Sequence, residues 1–409
     1  MAAKTPDKAP EGRPDNSANA EHHTGGSLDG LLASKEIVVA CGPGGVGKTT
    51  TAAAAAAMAA WRHGGKVLVL TVDPARRLAD ALGLAGIGNR ETLVPEEAFA
   101  KAGVKPRGEL WAAMLDTKES WDALIRRHAP DERTRDEILR NPLYAQISGR
   151  FVQSHDYIAM ERLYEIHSNG DYDLIVVDTP PTKNALDFLD APERMADFFS
   201  SRLLRWLIIP YRSRLVNFAS KPFYQVADRI LGTQFLEDIS QFFILFQTMY
   251  DGFIKRAQEV QRLLAARRTT FIVVATLEAA PLHEARVFVK ELGRRDLHVG
   301  AVVLNKVLPA YLRDASGRSI AEMLKDSPDK VAERLVSAPG LAAVDPAQLA
   351  RVVKEVGSSY LDYGVVAQRE AEQRAELGAV PEALVSVPFF DSDVYDMTGL
   401  LQLGDKLWS

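Results

Sequence analysis

A single cysteine, Cys41, stands in 409 residues. One thiol excludes an intrachain disulfide and any multi-cysteine metal site built by one copy of the chain, and it suits a reducing compartment. The eight histidines are scattered, with His22 and His23 in a polar stretch, so no metal beyond Mg²⁺ is expected. Basic excess is missing as well: the net charge is −5, which leaves no footprint for nucleic acid or an anionic membrane surface. Long apolar runs are also absent. Leu203 to Pro210 is cut short by Pro210, Arg212 and Arg214, and Phe242 to Phe253 is interrupted by Gln247 and Asp251. Neither approaches the roughly 20 apolar residues of a membrane span. Apolar periodicity fails altogether from Met1 to Ala33, which is rich in Pro, Gly, Asp, Asn and Lys. That composition predicts a disordered tail over residues 1–33, with no h-region of a signal peptide, ahead of a cytoplasmic protein.

What is present begins with Gly42-Pro43-Gly44-Gly45-Val46-Gly47-Lys48-Thr49, which fits G-x-x-x-x-G-K-[ST]. It lies between a strand-like run, Ile37 to Cys41, and an almost pure Ala run, Thr50 to Met58, the strongest helix former. In such a loop the glycines turn successive N–H groups inward onto phosphate oxygens, at a helix N-terminus whose dipole favours anions. Gly44, Gly45, Val46, Gly47, Lys48, Thr49 and Thr50 are therefore the candidate phosphate-binding residues, with Lys48 reaching the β- and γ-phosphates and Thr49 ligating Mg²⁺. Leu174-Ile175-Val176-Val177-Asp178 is four apolar residues ending in an acid. After a phosphate loop in the same chain, that carboxylate is a second candidate support for Mg²⁺. Lys66 to Val72 reads as a strand buried on both faces, and Asp73-Pro74 follows it. Asp73 is placed either to accept a proton from water or to cap the helix behind Pro74.

Strand-like runs at Glu36–Cys41, Lys66–Val72, Glu109–Leu115, Leu174–Asp178, Thr270–Ala275, His298–Leu304 and Ala383–Val387 alternate with helical patterns. Such alternation predicts an α/β fold, doubly wound around a mostly parallel sheet. Residues 34–409 form the nucleotide-binding domain in this reading. A helical subdomain over about 117–170 and 191–265 is inserted around the Asp178 strand, and a second helical stretch covers 319–377. Ala191 to Ala265 is dense in aromatics, among them Phe198, Phe199, Trp206, Phe218, Phe223, Phe235, Phe242, Phe243, Phe246 and Phe253. They make either a packed core or an apolar face for a protein client.

Asn305-Lys306-Val307-Leu308 nearly spells the guanine-reading pattern N-K-x-D, but Leu308 brings no carboxylate for the guanine N1 and N2 donors. An Asn amide can pair with adenine N6 and N7, so ATP is the expected nucleotide; the other reading of Asn305 is a polar strand end. Four segments together now resemble the ArsA-type ATPases, which comprise the soluble subunits of arsenite pumps and the ATPases that target tail-anchored proteins. They are the loop Gly42 to Thr50, Asp73-Pro74-Ala75-Arg76 as a first switch, Asp178-Thr179-Pro180-Pro181-Thr182 as a second, and the strand ending Asn305-Lys306. With Val387-Pro388-Phe389 the likeness runs through most of residues 35–409. It implies a dimeric, Mg²⁺-dependent P-loop ATPase in which Asp73 positions or deprotonates water, Lys48 and Thr49 hold phosphate and Mg²⁺, and Asp178 is the Walker B acid. Pro388 and Phe389 then flank the adenine.

Three departures from that family stand out. Cys41 is alone where pump members use several cysteines and targeting members a C-x-x-C zinc clasp. Lys183 and Asn184 replace Gly and His of the second switch. Pro43 occupies the loop position at which the family carries a lysine that crosses the dimer interface to the partner's phosphates. The preferred assembly is therefore a heterodimer with a lysine-bearing paralogue, ahead of a homodimer. Two other functions stay open at this point: a GTP-dependent metallochaperone or targeting GTPase of related fold, and a nucleotide-binding scaffold with little turnover.

Overall fold

Strand β1 (Ile37–Cys41) is apolar and buried along its whole length, as a strand covered on both faces must be. In the computed structural model, which describes residues 28–72, 76–144, 152–180, 189–191, 194, 197, 233–338, 344–375 and 383–408, this strand lies inside an eight-stranded sheet. The remaining strands are β2 (Lys66–Thr71), β3 (Thr92–Leu93), β4 (Glu109–Met114), β5 (Leu174–Asp178), β6 (Thr269–Ala275), β7 (Val299–Val307) and β8 (Ala383–Pro388). The order is β3-β4-β2-β5-β1-β6-β7-β8. Every pair is parallel except β3 on β4, so the doubly wound, mostly parallel α/β fold expected from the alternation is the fold observed. β4 has only the two-residue β3 on its outer side, which is how an edge strand is kept from pairing with other chains.

Register places the chemistry. Ala40 of β1 and Thr71 of β2 both stand opposite Asp178 of β5, so three strands finish level at one carboxyl edge. In open α/β sheets that edge, beside the strand where the winding reverses, is where ligands bind.

The helices are α1 (Leu28–Ala33), α2 (Lys48–Arg62), α3 (Arg76–Ala81), α4 (Glu96–Lys101), α5 (Thr117–His128), α6 (Glu132–Arg140) and α7 (Val152–Asn169) in the first half. Then come α8 (Thr233–Gln247), α9 (Tyr250–Ala265), α10 (Ala279–Arg294), α11 (Ala315–Asp326), α12 (Pro328–Leu335), α13 (Pro346–Ala375) and α14 (Met397–Trp408). Alternate strand residues face opposite layers. Val38, Ala40, Val67, Val69 and Val176 pack with α2, α4 and α14; Ile37, Val39, Cys41, Leu68, Leu70, Ile175 and Val177 pack with α5 to α10. The unbroken run Ala52 to Ala60 is buried all round: its alanines let α2 lie between the sheet and α14, and its one large side chain, Met58, fits against Gly404.

One sequence expectation changes here. Residues 28–33, read as the end of a disordered tail, form α1, which buries Leu28, Leu31 and Leu32. Their i, i+3, i+4 spacing is a helical stripe too short to stand out beside the polar stretch before it. Asp29 ties the helix down by accepting from His63 Nε2 at 2.8 Å and from the Trp408 indole N–H. Residues 1–27 lie outside the described residues.

The aromatics that are described make core. Phe242, Phe246 and Phe253 are each at most 4% exposed and join Trp121 and Tyr157, with Phe246 stacked on Phe253 at 5.0 Å between ring centroids. Arg256 lies over the Phe253 ring and pairs with Glu161 at 2.5 Å, while Tyr157 donates to the same carboxyl group at 3.0 Å. Burial pushes the Glu161 carboxyl up and Arg256 opposes it. The pair links α7 to α9. Phe198, Phe199, Trp206, Phe218, Phe223 and the side chain of Phe235 lie outside the described residues. Among the described residues no helix is long and apolar enough to cross a membrane.

Candidate functional site

Beyond Cys41 the chain must leave the sheet through a space that admits no side chain. Gly42 has φ 146°, and a Cβ there would sit 2.0 Å from the Val274 carbonyl oxygen. The loop then rises through exposed Gly44 and Gly45, folds Val46 back into the core and reaches Gly47 in a left-handed turn at φ 94°. α2 starts at Lys48, and Gly47 at its N-cap makes no side-chain cap. The first N–H groups of the helix are thus left to an anion, as a phosphate loop requires. Cys41 itself is buried, its thiol pushed up by that burial and aimed at the Ile272 carbonyl 3.5 Å away. A thiol so held is a packing residue.

Lys48 is buried and donates through Nζ to the Pro43 carbonyl at 2.8 Å, so its ammonium arches over the loop. Pro43 is buried too. Thr49, at the second helical position, donates to Asp178 Oδ2 at 2.6 Å. Asp178 is 1% exposed, and a carboxylate that deep needs compensation. Part of it comes from a residue the sequence reading missed: Thr71, fully buried, donates to the same oxygen at 3.0 Å. One hydroxyl interrupting a Val/Leu run was the available signal, but its partner stands 107 residues away. Thr179, next after Asp178, donates through its hydroxyl to the Ala40 carbonyl at 2.9 Å, fixing the exit of β5 against β1.

This donor set fits Mg²⁺. A hydroxyl and a carboxylate are hard oxygen ligands, and a phosphate-bound Mg²⁺ takes only one or two of them from protein. Thr49 and Asp178 would hold the ion, which would supply charge neutralisation at the β- and γ-phosphates. Among the described residues there is no group of three or more His, Cys, Asp or Glu able to hold another metal. Thr71→Val keeps the shape and removes one donor to Asp178. Metal affinity of the nucleotide-loaded protein is expected to fall about tenfold, the scale typical of residues that orient a ligand. Unchanged affinity in an Mg²⁺ titration would reduce Thr71 to packing.

Asn305, at the end of β7, reaches the phosphate loop directly. Its Nδ2 donates to the Val46 carbonyl at 2.8 Å and its Oδ1 accepts from Lys306 N at 2.9 Å. A Cβ on Gly47 would stand 2.3 Å from that Nδ2, so the loop glycine also makes room for Asn305. An amide offers two donors and two lone pairs, which leaves one of each for a base edge. Pro388 pairs with Val307 across β7 and β8. Phe389 donates from its backbone to the Val307 carbonyl at 3.0 Å, and the residue is 57% exposed. The structure therefore gathers Gly44 to Thr50, Asp178, Asn305, Pro388 and Phe389 along one sheet edge. Asp73 lies outside the described residues, as do Thr182, Lys183, Asn184 and the side chains of Arg76 and Arg77.

Residues 35–334 match the family described as Anion-transporting ATPase. The chain belongs to that family. Similar proteins include an "ATPase ASNA1 homolog" of Entamoeba dispar, 27% identical over 293 residues that cover 69% of this chain and 80% of the relative. An "ATPase ASNA1 homolog 1" of Paramecium tetraurelia is 27% identical, covering 65% and 73% respectively. A "Putative arsenical pump-driving ATPase 2" of Aquifex aeolicus is 26% identical, covering 67% and 80%. As a member of this ATPase family the chain takes ATP as substrate and hydrolyses it. The match stops before α13, β8 and α14.

Proposed function

We propose that this chain is one half of a dimeric, Mg²⁺-dependent ATP switch of the cytoplasm that couples hydrolysis to movement of its helical layer against a client. The observation that carries this reading is the Thr49–Asp178–Thr71 cluster. It joins the metal-binding oxygens to the last residue of β2, two positions ahead of Asp73, so that events at the γ-phosphate are felt where the first switch leaves the sheet. Gly44 to Lys48 supply N–H groups to the phosphates, with Thr50 next in the helix. Lys48 neutralises the transferred group, Asp73 orients or deprotonates water, and Asn305, Pro388 and Phe389 hold the adenine. Loss of γ-phosphate contacts then releases the switch segments, and α5 to α9, which cover one sheet face, are the part that moves.

The described rings of that layer are core and lend a client face no support. Nor does the buried, solitary Cys41 support a thiolate site for a metalloid, whatever the name of the Aquifex aeolicus relative says of that protein. The test is Lys48→Ala. It removes the cation that meets the β- and γ-phosphates, and Mg·ATP affinity measured by calorimetry is expected to fall at least about a hundredfold, the scale of a buried charge-assisted contact. GTP should compete poorly with ATP in the same assay. Parental ATP affinity in Lys48→Ala would overturn the assignment of this loop.

A further inference from the structure

The C-terminal end of β7 is held in a conformation its own sequence does not favour. Lys306 has φ 59°, one of two non-glycine residues at positive φ among the described residues. The pairing of β7 with β8 slips between Leu304 and Val307. A left-handed lysine costs of order 1 kcal/mol or more and persists where its surroundings over-determine it. The contacts that do so can be named. Lys306 N donates to the Asn305 side chain, the Val307 carbonyl accepts from Phe389 N, and Leu308 N donates to Glu370 Oε2 at 2.9 Å. Two of these are local or come from the neighbouring strand. The third comes from 62 residues away.

Glu370 sits near the C-terminal end of α13, a 30-residue helix wholly beyond the family match. Its carboxyl group is partly buried, which raises its pKa, and Leu308 N opposes that rise while Glu278 adds to it. α13 is fixed independently, near its C-terminal end by Arg286 of α10 donating to the Gln373 carbonyl at 3.3 Å and at its middle by Tyr360 donating to the Tyr311 carbonyl at 2.6 Å. Glu370 is therefore presented to Leu308 by a helix anchored on either side of it, to Tyr311 just after β7 and to Arg286 of α10. Leu308 occupies the position where a guanine-reading loop would carry its own acid, so here a carboxylate does reach that position, spent on backbone.

We propose that Glu370 is a positioning residue of the base-binding loop, by which α13 sets how well Asn305 and Phe389 meet the nucleobase. The inference rests on the reading that Asn305, Pro388 and Phe389 hold that base. It makes the nucleotide affinity of this chain depend on an element the family match does not include, and it does so without touching the phosphates.

The experiment compares Mg·ATP with Mg·tripolyphosphate, which fills the phosphate loop and has no base, by calorimetry on the full chain. Glu370→Ala should bind ATP about tenfold more weakly, one hydrogen bond's worth of loop order, and tripolyphosphate as the parent does. Glu370→Gln keeps an acceptor for Leu308 N and should restore ATP affinity to within about twofold. Phe389→Ala, an exposed ring, reports on the base site itself and should also weaken ATP alone. If Phe389→Ala weakens ATP selectively and Glu370→Ala does not, Glu370 has no positioning role. If Glu370→Ala weakens ATP and tripolyphosphate alike, it supports the fold at large and the inference fails. If Phe389→Ala leaves ATP binding untouched, the base-site reading falls first, and the role of Glu370 with it.

Discussion

Asp73→Asn is expected to bind Mg·ATP as the parent does and to hydrolyse it about two to four orders of magnitude more slowly, the range spanned by general acid–base groups. β2 delivers this residue. The strand is buried up to Thr71, its last residue, whose hydroxyl is already committed to Asp178, and the backbone N–H of Val72 donates to the Asp178 carbonyl at 3.1 Å. The chain therefore leaves the sheet beside the Thr49–Asp178 pair with Asp73 as the next residue. A carboxylate there can take a proton from water attacking the γ-phosphate. The substitution is chosen because Asn is as good a helix cap as Asp, so losing the cap cannot account for lost turnover. Binding by calorimetry and single-turnover phosphate release separate the two roles. A parental hydrolysis rate in Asp73→Asn would leave Asp73 as a helix cap ahead of Pro74 and nothing more.

The parts of this site that were legible in the sequence are those whose chemistry is carried by contiguous residues. The phosphate loop is one. Its glycines and the Lys-Thr pair act through local backbone geometry, and Gly42 with φ 146° against the Val274 carbonyl shows why the first of them admits no replacement. Asp178 was legible because an apolar strand fixes its end. Thr71 was not, because its meaning depends on the β2–β5 register that sets it opposite Asp178, and no pattern within either strand encodes that pairing. Asn305 was read as a base contact from its place at the end of a strand-like run. That it also holds the Val46 carbonyl follows only once β7 is known to lie beside β6 and the loop. Glu370 is the extreme case, since its partner is a backbone N–H on another element. The aromatic helices show the converse: sequence left core and client face open, and packing of Phe242, Phe246 and Phe253 around Trp121 decides for the described rings.

The isolated chain is expected to hydrolyse ATP weakly, and a paralogue bearing a lysine at the position of Pro43 is expected to stimulate it by about three orders of magnitude or more, as cations supplied in trans to phosphoryl transfer do. Proline has neither a charge nor an N–H. In this chain its ring is buried within the loop and its carbonyl is occupied by Lys48, so the position is committed to shaping the loop and has no means of reaching a partner. The chain carries one phosphate loop. A symmetric pair of such chains would lack the crossing lysine at both sites, whereas a pair with a lysine-bearing chain would supply it to the ATP bound here. Arg76 and Arg77 are the other candidate cations, three and four residues beyond Asp73. The measurement is steady-state phosphate release by the purified chain, by its Arg76→Ala and Arg77→Ala variants, and by each mixed with the paralogue and with a variant of the paralogue from which the lysine has been removed. Stimulation that disappears with that lysine identifies the cation and the heterodimer together. Rapid turnover by the chain alone, undiminished by either arginine substitution, would show that its hydrolysis needs no cation from across an interface.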